Sequence, residues 1–258
     1  FVKVEDGCDA RCAYCIVPLV RGPVKTRREG EILDEARALS AAGYREFVLT
    51  GVNLGSYGKE TGTSLARLLG KLAENPAVER IRLSSIEVKH LHGELLSTLA
   101  EIPAFCPSFH VPLQSGSDRI LALMGRPYTS GEFFDVLDCV RAAFPSAVFT
   151  TDVMVAFPGE TRDDLHATCA AVERAGFFKC HLFPFSPREG TRAFSMPGRV
   201  APAEAGARRE IVRACAERVR EKTAARFAGS VHEVLFERSE NGVRIGFTEN
   251  YLPAGIPT

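Results

Sequence analysis

Three thiols crowd the first fifteen positions of this chain, in Gly7-Cys-Asp-Ala-Arg-Cys-Ala-Tyr-Cys15. The apolar run from Phe1 to Val4 predicts a strand and Asp6-Gly7 a turn, so Cys8, Cys12 and Cys15 fall in a loop just past a strand's carboxyl end. Folds that alternate strands and helices gather their ligands at that end. Closely spaced thiolates suit a soft metal: zinc, copper(I) or an iron-sulfur cluster. A structural zinc site takes four ligands, usually as two separated pairs, and here the next cysteine is Cys106 and the first histidine His90. A ferredoxin-type run would add a fourth nearby cysteine to complete a 4Fe-4S cluster. Three thiolates leave one iron of such a cluster with an open coordination position. Zinc, or three unconnected core thiols, is the bland alternative.

The rest of the chain repeats a strand and then a helix. Glu29 to Ala42 sets Ile32, Leu33, Ala36 and Leu39 at helical spacing and stops at Gly43. Residues 46–51 predict a buried strand, and Val52 to Gly58 a glycine-rich loop that lets a ligand approach backbone closely, a plain turn being the alternative. A helix over 64–73 leads to a strand over 80–87, and a helix over 91–102 to a strand over 108–114. Thr129-Ser-Gly-Glu132 is a capping box opening a helix to Ala143. The fifth strand, 148–157, holds Asp152 in an apolar run. Such a carboxylate needs a hydrogen-bond or ion-pair partner, which makes Asp152 a candidate catalytic residue at the cofactor or substrate site; a structural ion pair is the alternative. His110, alone on an apolar strand, reads as a satisfied core residue. Thr161 with Asp164 caps the next helix, and residues 179–186 are the sixth strand.

Six such units imply a parallel sheet. An eight-unit barrel takes about 250 residues, so the expected architecture is α/β: an open, partial (β/α)6 barrel over 1–228, closed off by an amphipathic helix over 202–227. Beyond Gly229, alternating apolar residues around Asn241-Gly242 predict a hairpin. The segment 229–258 is too short for a closed barrel of its own.

Lys+Arg and Asp+Glu are balanced at 32 each, so no global charge points to nucleic acid and any such contact is local. Arg21, Lys25, Arg27 and Arg28 follow the cysteine loop and are candidates for RNA phosphate, a solvated loop being the alternative. No run of about 18 apolar residues suggests a membrane span, and the first residues are not a signal peptide. A cytoplasmic protein is expected, whose Cys106, Cys139, Cys169, Cys180 and Cys215 are fillers and not a disulfide framework. Starting in mid-strand without methionine, the chain is expected to be part of a longer polypeptide.

Cys-x3-Cys-x2-Cys, with Tyr14 just before the last cysteine, resembles the cluster loop of the radical S-adenosylmethionine (SAM) enzymes. Further blocks, in order, are similar to the signatures of the radical SAM methylthiotransferases: Leu49-Thr-Gly-Val-Asn-Leu-Gly-Ser-Tyr57, Arg82-Leu-Ser-Ser-Ile-Glu87, His110-Val-Pro-Leu-Gln-Ser-Gly-Ser-Asp118, Met124-Gly-Arg-Pro-Tyr128, Thr150-Thr-Asp-Val-Met-Val-Ala-Phe-Pro-Gly-Glu-Thr161 and Phe183-Pro-Phe-Ser-Pro187. The loop Thr50 to Tyr57 is most similar to the type that methylthiolates threonylcarbamoyladenosine beside the tRNA anticodon. Types acting on isopentenyladenosine tRNA or on a ribosomal protein remain alternatives, as does a non-enzyme, a zinc-bound RNA-binding module.

The resemblance implies that Cys8, Cys12 and Cys15 bind a 4Fe-4S cluster whose open iron chelates SAM, and that one electron cleaves SAM to a 5'-deoxyadenosyl radical. It implies a SAM pocket lined by Tyr14, Gly51, Asn53, Ser85, Glu87, Gln114, Arg126, Asp152, Val155 and Phe157. Arg126 is expected on the methionine carboxylate, since its fork bonds a carboxylate bidentately, and the backbone of 153–157 along adenine. Residues 229–258 resemble the start of an RNA-binding TRAM domain. The partners implied are the tRNA anticodon stem-loop, a flavodoxin- or ferredoxin-like electron donor and a sulfur donor. Two departures stand out: Ala156 replaces the family's usual glycine, and the amino-terminal domain that carries a second 4Fe-4S cluster is not in this sequence.

Overall fold

The computed structural model describes residues 1–258. Its elements are β1 (Val2–Lys3), β2 (Glu5–Asp6), α1 (Val17–Val20), β3 (Lys25–Thr26), α2 (Glu29–Ala41), β4 (Glu46–Thr50), α3 (Leu65–Ala73), β5 (Arg80–Leu83), α4 (Gly93–Glu101), β6 (Ser108–His110), α5 (Asp118–Met124), α6 (Ser130–Ala143), β7 (Val148–Val155), α7 (Arg162–Ala175), β8 (Lys179–Pro184), α8 (Pro202–Ala225), β9 (Val234–Glu240), β10 (Val243–Thr248) and β11 (Pro253–Pro257). β1, β4 and β5 pair in parallel, as do β6, β7 and β8. Single parallel bridges, Ile81 to Phe105 and Ser85 to His110, join the two halves. The six strands therefore follow sequence order around an open barrel, the expected (β/α)6 arrangement.

Alternation along the strands sorts side chains between the helix layer and the lumen. In β4, Phe47 and Leu49 are buried under the helices, which return Leu65, Leu68, Leu69 and Leu72 from α3. The capping signals act as expected. Thr129 and Glu132 close a capping box on α6, Thr161 and Asp164 one on α7. Such caps are worth about 1 kcal/mol each.

Three features differ from expectation. β5 and β6 are shorter than predicted, ending at Leu83 and His110. Past these points polar Ser84-Ser85 and Pro112, which has no N–H to give to a ladder, turn the backbone out to form the mouth. The segment after Gln114 contains α5, capped by the Ser117 hydroxyl at one end and by left-handed Gly125 at the other. A short β2–β3 ladder and α1 also frame the cysteine loop.

The hairpin at Asn241-Gly242 forms, both turn residues having positive φ (49° and 75°) as a type I′ turn requires. β11 completes a three-stranded antiparallel sheet. This sheet is tied to the barrel by two arginines of β5. Arg82, 4% exposed, donates to the carbonyls of Thr248 (2.9 Å) and Glu249 (2.8 Å), lies 4.5 Å from the Tyr251 ring and pairs with Glu46 at 3.0 Å. Arg80 donates to the carbonyls of Glu233 and Phe247. Of the scattered cysteines, Cys106 and Cys215 are buried and Cys139 is exposed; none forms a disulfide. No helix is long and apolar enough to cross a membrane.

Candidate active site

The cysteine loop sits at the mouth of the barrel because both of its ends are anchored. Gly7 has φ 79° and lies against the Pro23 carbonyl, where a Cβ would clash, and Cys8 N–H donates to Gly22 O at 3.0 Å. In the middle, Ala13 is wholly buried. Its N–H donates to Met124 O (2.7 Å) and its carbonyl accepts from Ala193 N–H (2.8 Å). Cys8, Cys12 and Cys15 are left half-exposed and unoxidised. Burial pushes the Cys8 and Cys15 thiols up, and the nearby charges of Cys12 and Glu87 push the same way. A cationic centre shared by the three would relieve this repulsion. A structural zinc site takes four ligands, whereas three thiolates can each hold one iron of a cubane and leave the fourth open, so the donor set of Cys8, Cys12 and Cys15 fits a cluster better than zinc.

Arg126 is placed beside this loop by the left-handed stop of α5 at Gly125. Its side chain is 3% exposed and all three nitrogens are engaged: Nη2 in an ion pair with Glu87, Nη1 on Cys12 Sγ at 3.4 Å, and Nε on the Tyr128 hydroxyl at 3.0 Å. Burial opposes its charge, but Tyr128 and Glu87 more than compensate and hold it firmly protonated. Tyr128 in turn donates to Pro112 O at 2.9 Å. Tyr14 lies edge-on to Phe157 at 6.5 Å, its phenol driven up by burial.

On the opposite wall Glu5 accepts from Asn53 N–H, and its carboxylate occupies the space a Cβ at Gly51 would need. Burial raises the Glu5 carboxyl above the ordinary range. Gly55 is likewise small because the His90 ring lies against it. The glycines of this loop are thus required by packing within the chain. Buried side-chain atoms without partners include Glu5 Oε2, Asn53 Oδ1, Ser84 Oγ and Gln114 Oε1. Gln114 also has φ 64°, held there by its N–H on Asp152 O (2.8 Å) and its carbonyl on Met154 N–H (2.9 Å). Orphaned polar atoms on strained backbone are what a polar ligand would satisfy.

Asp152 and Ser85 line the lumen below. Asp152 has the partner its position demanded, His110 Nε2 at 3.2 Å, whose Nδ1 faces Thr150 Oγ1 at 2.9 Å. His110 is therefore part of the cavity wall and not a core residue. Val155 and Phe157 are fully buried with their side chains in the core, so only their backbone is available to a ligand. Ala156 has φ 60°, the conformation that favours glycine, and donates its N–H to Glu160 Oε1 at 2.9 Å. Of the basic loop, Arg21 pairs with Asp6, Arg27 with Glu31 and Glu35, and Arg28 with Glu31; Lys25 alone has no carboxylate. Sequence reasoning missed Glu5, Lys179, His181 and the buried pair Glu160–Arg208. Alternation in β8 was the available signal for Lys179 and His181; long-range partners gave none for the others.

The model of the radical SAM superfamily matches residues 2–172. The chain belongs to the radical SAM superfamily. Enzymes of this superfamily use a 4Fe-4S cluster and SAM. Among curated proteins the chain is 41% identical over 254 residues to the threonylcarbamoyladenosine tRNA methylthiotransferase MtaB of Thermotoga maritima, covering 98% of this chain and 58% of that protein. It is also 41% identical over 240 residues to the tRNA-2-methylthio-N(6)-dimethylallyladenosine synthase of Nitratidesulfovibrio vulgaris (strain DP4), covering 92% and 54%. The chain thus spans little more than half the length of these relatives. Solved radical SAM structures share the fold: TsrM from Kitasatospora setae (TM-score 0.63, 17% identity, 75% of this chain and 38% of that one) and methylornithine synthase PylB (TM-score 0.59, 12% identity, 86% and 62%).

Proposed function

We propose that this chain is the radical SAM core of a tRNA methylthiotransferase acting at carbon-2 of N6-threonylcarbamoyladenosine beside the anticodon. The observation that carries the reading is Arg126, buried against both Glu87 and Cys12. The methionine end of SAM is a zwitterion, and Glu87 with Arg126 offers it the complementary pair of charges next to the cysteine loop. Glu87 would hold the ammonium and Arg126 the carboxylate, so that each would keep an opposite charge and neither would be left bare. Cys8, Cys12 and Cys15 would hold the cluster; when bound, cluster and SAM together supply the one-electron cleavage that starts radical chemistry. Asn53, Ser85 and Gln114 supply polar contacts, and the backbone at 153–157 an edge for adenine.

The wider reading follows the relatives. Residues 1–228 form the catalytic core, and 229–258 begin a TRAM-like RNA-binding segment. The reductant is of flavodoxin or ferredoxin type, and sulfur comes from a donor through a second cluster that the five other cysteines do not replace. Action on tRNA supports a cytoplasmic location. The Thr50 to Tyr57 loop supports the threonylcarbamoyl substrate; equal identity to the dimethylallyladenosine relative supports that substrate as the second reading. Anaerobically reconstituted chain should form 5'-deoxyadenosine from SAM with dithionite and bind a threonylcarbamoyl anticodon stem-loop more tightly than a dimethylallyl one. No cleavage, or the reverse preference, contradicts the respective half of the proposal.

A further inference from the structure

A cavity of about 1110 Å³ opens from the lumen onto α8 and the carboxyl-terminal sheet, room for more than a nucleobase. Its wall is built in layers, because residues two apart on a strand face the same side. Asp152 of β7 is paired with His181 of β8, and Thr150 with Lys179; the two layers are about 6.6 Å apart along the strands. The upper layer is polar: His110 Nε2 lies 3.2 Å from the Asp152 carboxylate, and the His110 and His181 rings meet edge to face at 5.6 Å. In the lower layer Lys179 has neither ion-pair nor hydrogen-bond partner and opens to the cavity.

The other cations of the lining are engaged. Arg82 is held by Glu46 and two carbonyls, Arg213 by Glu210 at 2.6 Å and Arg220 by Glu217 at 2.9 Å. Lys179 is therefore the lysine or arginine side chain of the lining that has no carboxylate partner. A base seated in the upper layer, beneath the SAM site, would direct a substituent on its exocyclic nitrogen toward the lower layer, across a gap that a carbamoyl linker spans. A threonylcarbamoyl group ends there in a carboxylate. A dimethylallyl group has no charge and would desolvate the ammonium with nothing in return.

We propose that Lys179 is the specificity residue for the substrate, receiving the carboxylate of its amino-acid substituent while Ser85, His110 and Asp152 face the base. This rests on the methylthiotransferase reading above. The test is fluorescence-anisotropy titration of the chain and its Lys179→Gln and Lys179→Arg variants. The probes are anticodon stem-loops bearing threonylcarbamoyladenosine, its neutral methyl ester, dimethylallyladenosine or plain adenosine. Lys179→Gln should weaken binding of the carboxylate-bearing RNA roughly 10- to 100-fold, the range for a lost charged hydrogen bond, and leave the ester and plain RNAs unchanged. Lys179→Arg should restore most of the loss. Equal weakening of all four RNAs assigns Lys179 to phosphate and overturns the proposal, as does no weakening at all. A wild-type preference for dimethylallyl RNA overturns the substrate reading itself. A threonylcarbamoyl preference that survives Lys179→Gln overturns the role of Lys179 alone. Thermal melts of each variant check that the fold is retained.

Discussion

Arg126 and Glu87 form an ion pair whose arginine is 3% exposed, and the same guanidinium reaches Cys12 Sγ at 3.4 Å. One side chain thereby links the proposed SAM pocket to the cysteine loop. Replacing it by Lys keeps the charge but loses the planar fork that engages three partners at once. Arg126→Lys should weaken SAM binding to the reconstituted chain by at least roughly tenfold, a loss on the scale of one charged hydrogen bond, measured by calorimetry. Undiminished affinity would remove Arg126 from the SAM site.

Ala156 carries the strain of a left-handed backbone at φ 60°. A residue with a Cβ pays about 1 kcal/mol or more there relative to glycine. Ala156→Gly should therefore stabilise the protein by about 0.5–1 kcal/mol in urea unfolding, against the usual direction for a glycine substitution. Destabilisation would mean that the methyl group packs more usefully than its strain costs.

Asp164 links the α7 cap to α5. Burial tends to raise its carboxyl, but hydrogen bonds from Arg119, Ser117 and Thr161 outweigh that and hold it well below the ordinary value of 3.8. A carboxyl depressed in the folded state contributes stability that is present above the unfolded value and lost as pH falls through the folded one. Asp164→Asn should cost about 1–2 kcal/mol at neutral pH. It should also flatten the decline in stability below pH 3.8, read from urea midpoints across the acid range. A variant with the wild-type acid slope would place that titration elsewhere.

Much of this was legible in local pattern. Helices announced themselves through Leu65, Leu68, Leu69 and Leu72 or through the caps at Thr129 and Thr161, since those signals lie within a few residues. Asp152 was legible because an acid in an apolar strand must find a partner, but the partner, His110, was misread: the sequence does not say which face of a short strand looks into the lumen. Glu5 against Gly51, Glu160 against Arg208 and Arg82 against residues 248–249 are contacts between distant segments, and only the folded barrel brings them together. The glycines at 51 and 55 were legible as close approaches, while what approaches them, Glu5 and His90, was not.

The carboxyl-terminal sheet is held by Arg82, whose guanidinium is 4% exposed, donates to the Thr248 and Glu249 carbonyls and lies 3.0 Å from Glu46. Arg82→Met keeps the apolar stem and removes the donors, leaving Glu46 and two carbonyls without them; breaking a buried pair costs about 3–5 kcal/mol. Residues 231–258 should then exchange amide hydrogens much faster while α3 and α7 stay protected. Unchanged exchange in that segment would show that its apolar contacts hold it without Arg82.

The central claim is that Cys8, Cys12 and Cys15 hold a cluster with one open iron. It is tested most directly by iron, sulfide and zinc content per chain after anaerobic reconstitution, for the wild type and for Cys12→Ala. The account predicts about four irons and four sulfides in the wild type and their loss in the variant. Zinc in place of iron, or iron that survives Cys12→Ala, would contradict it.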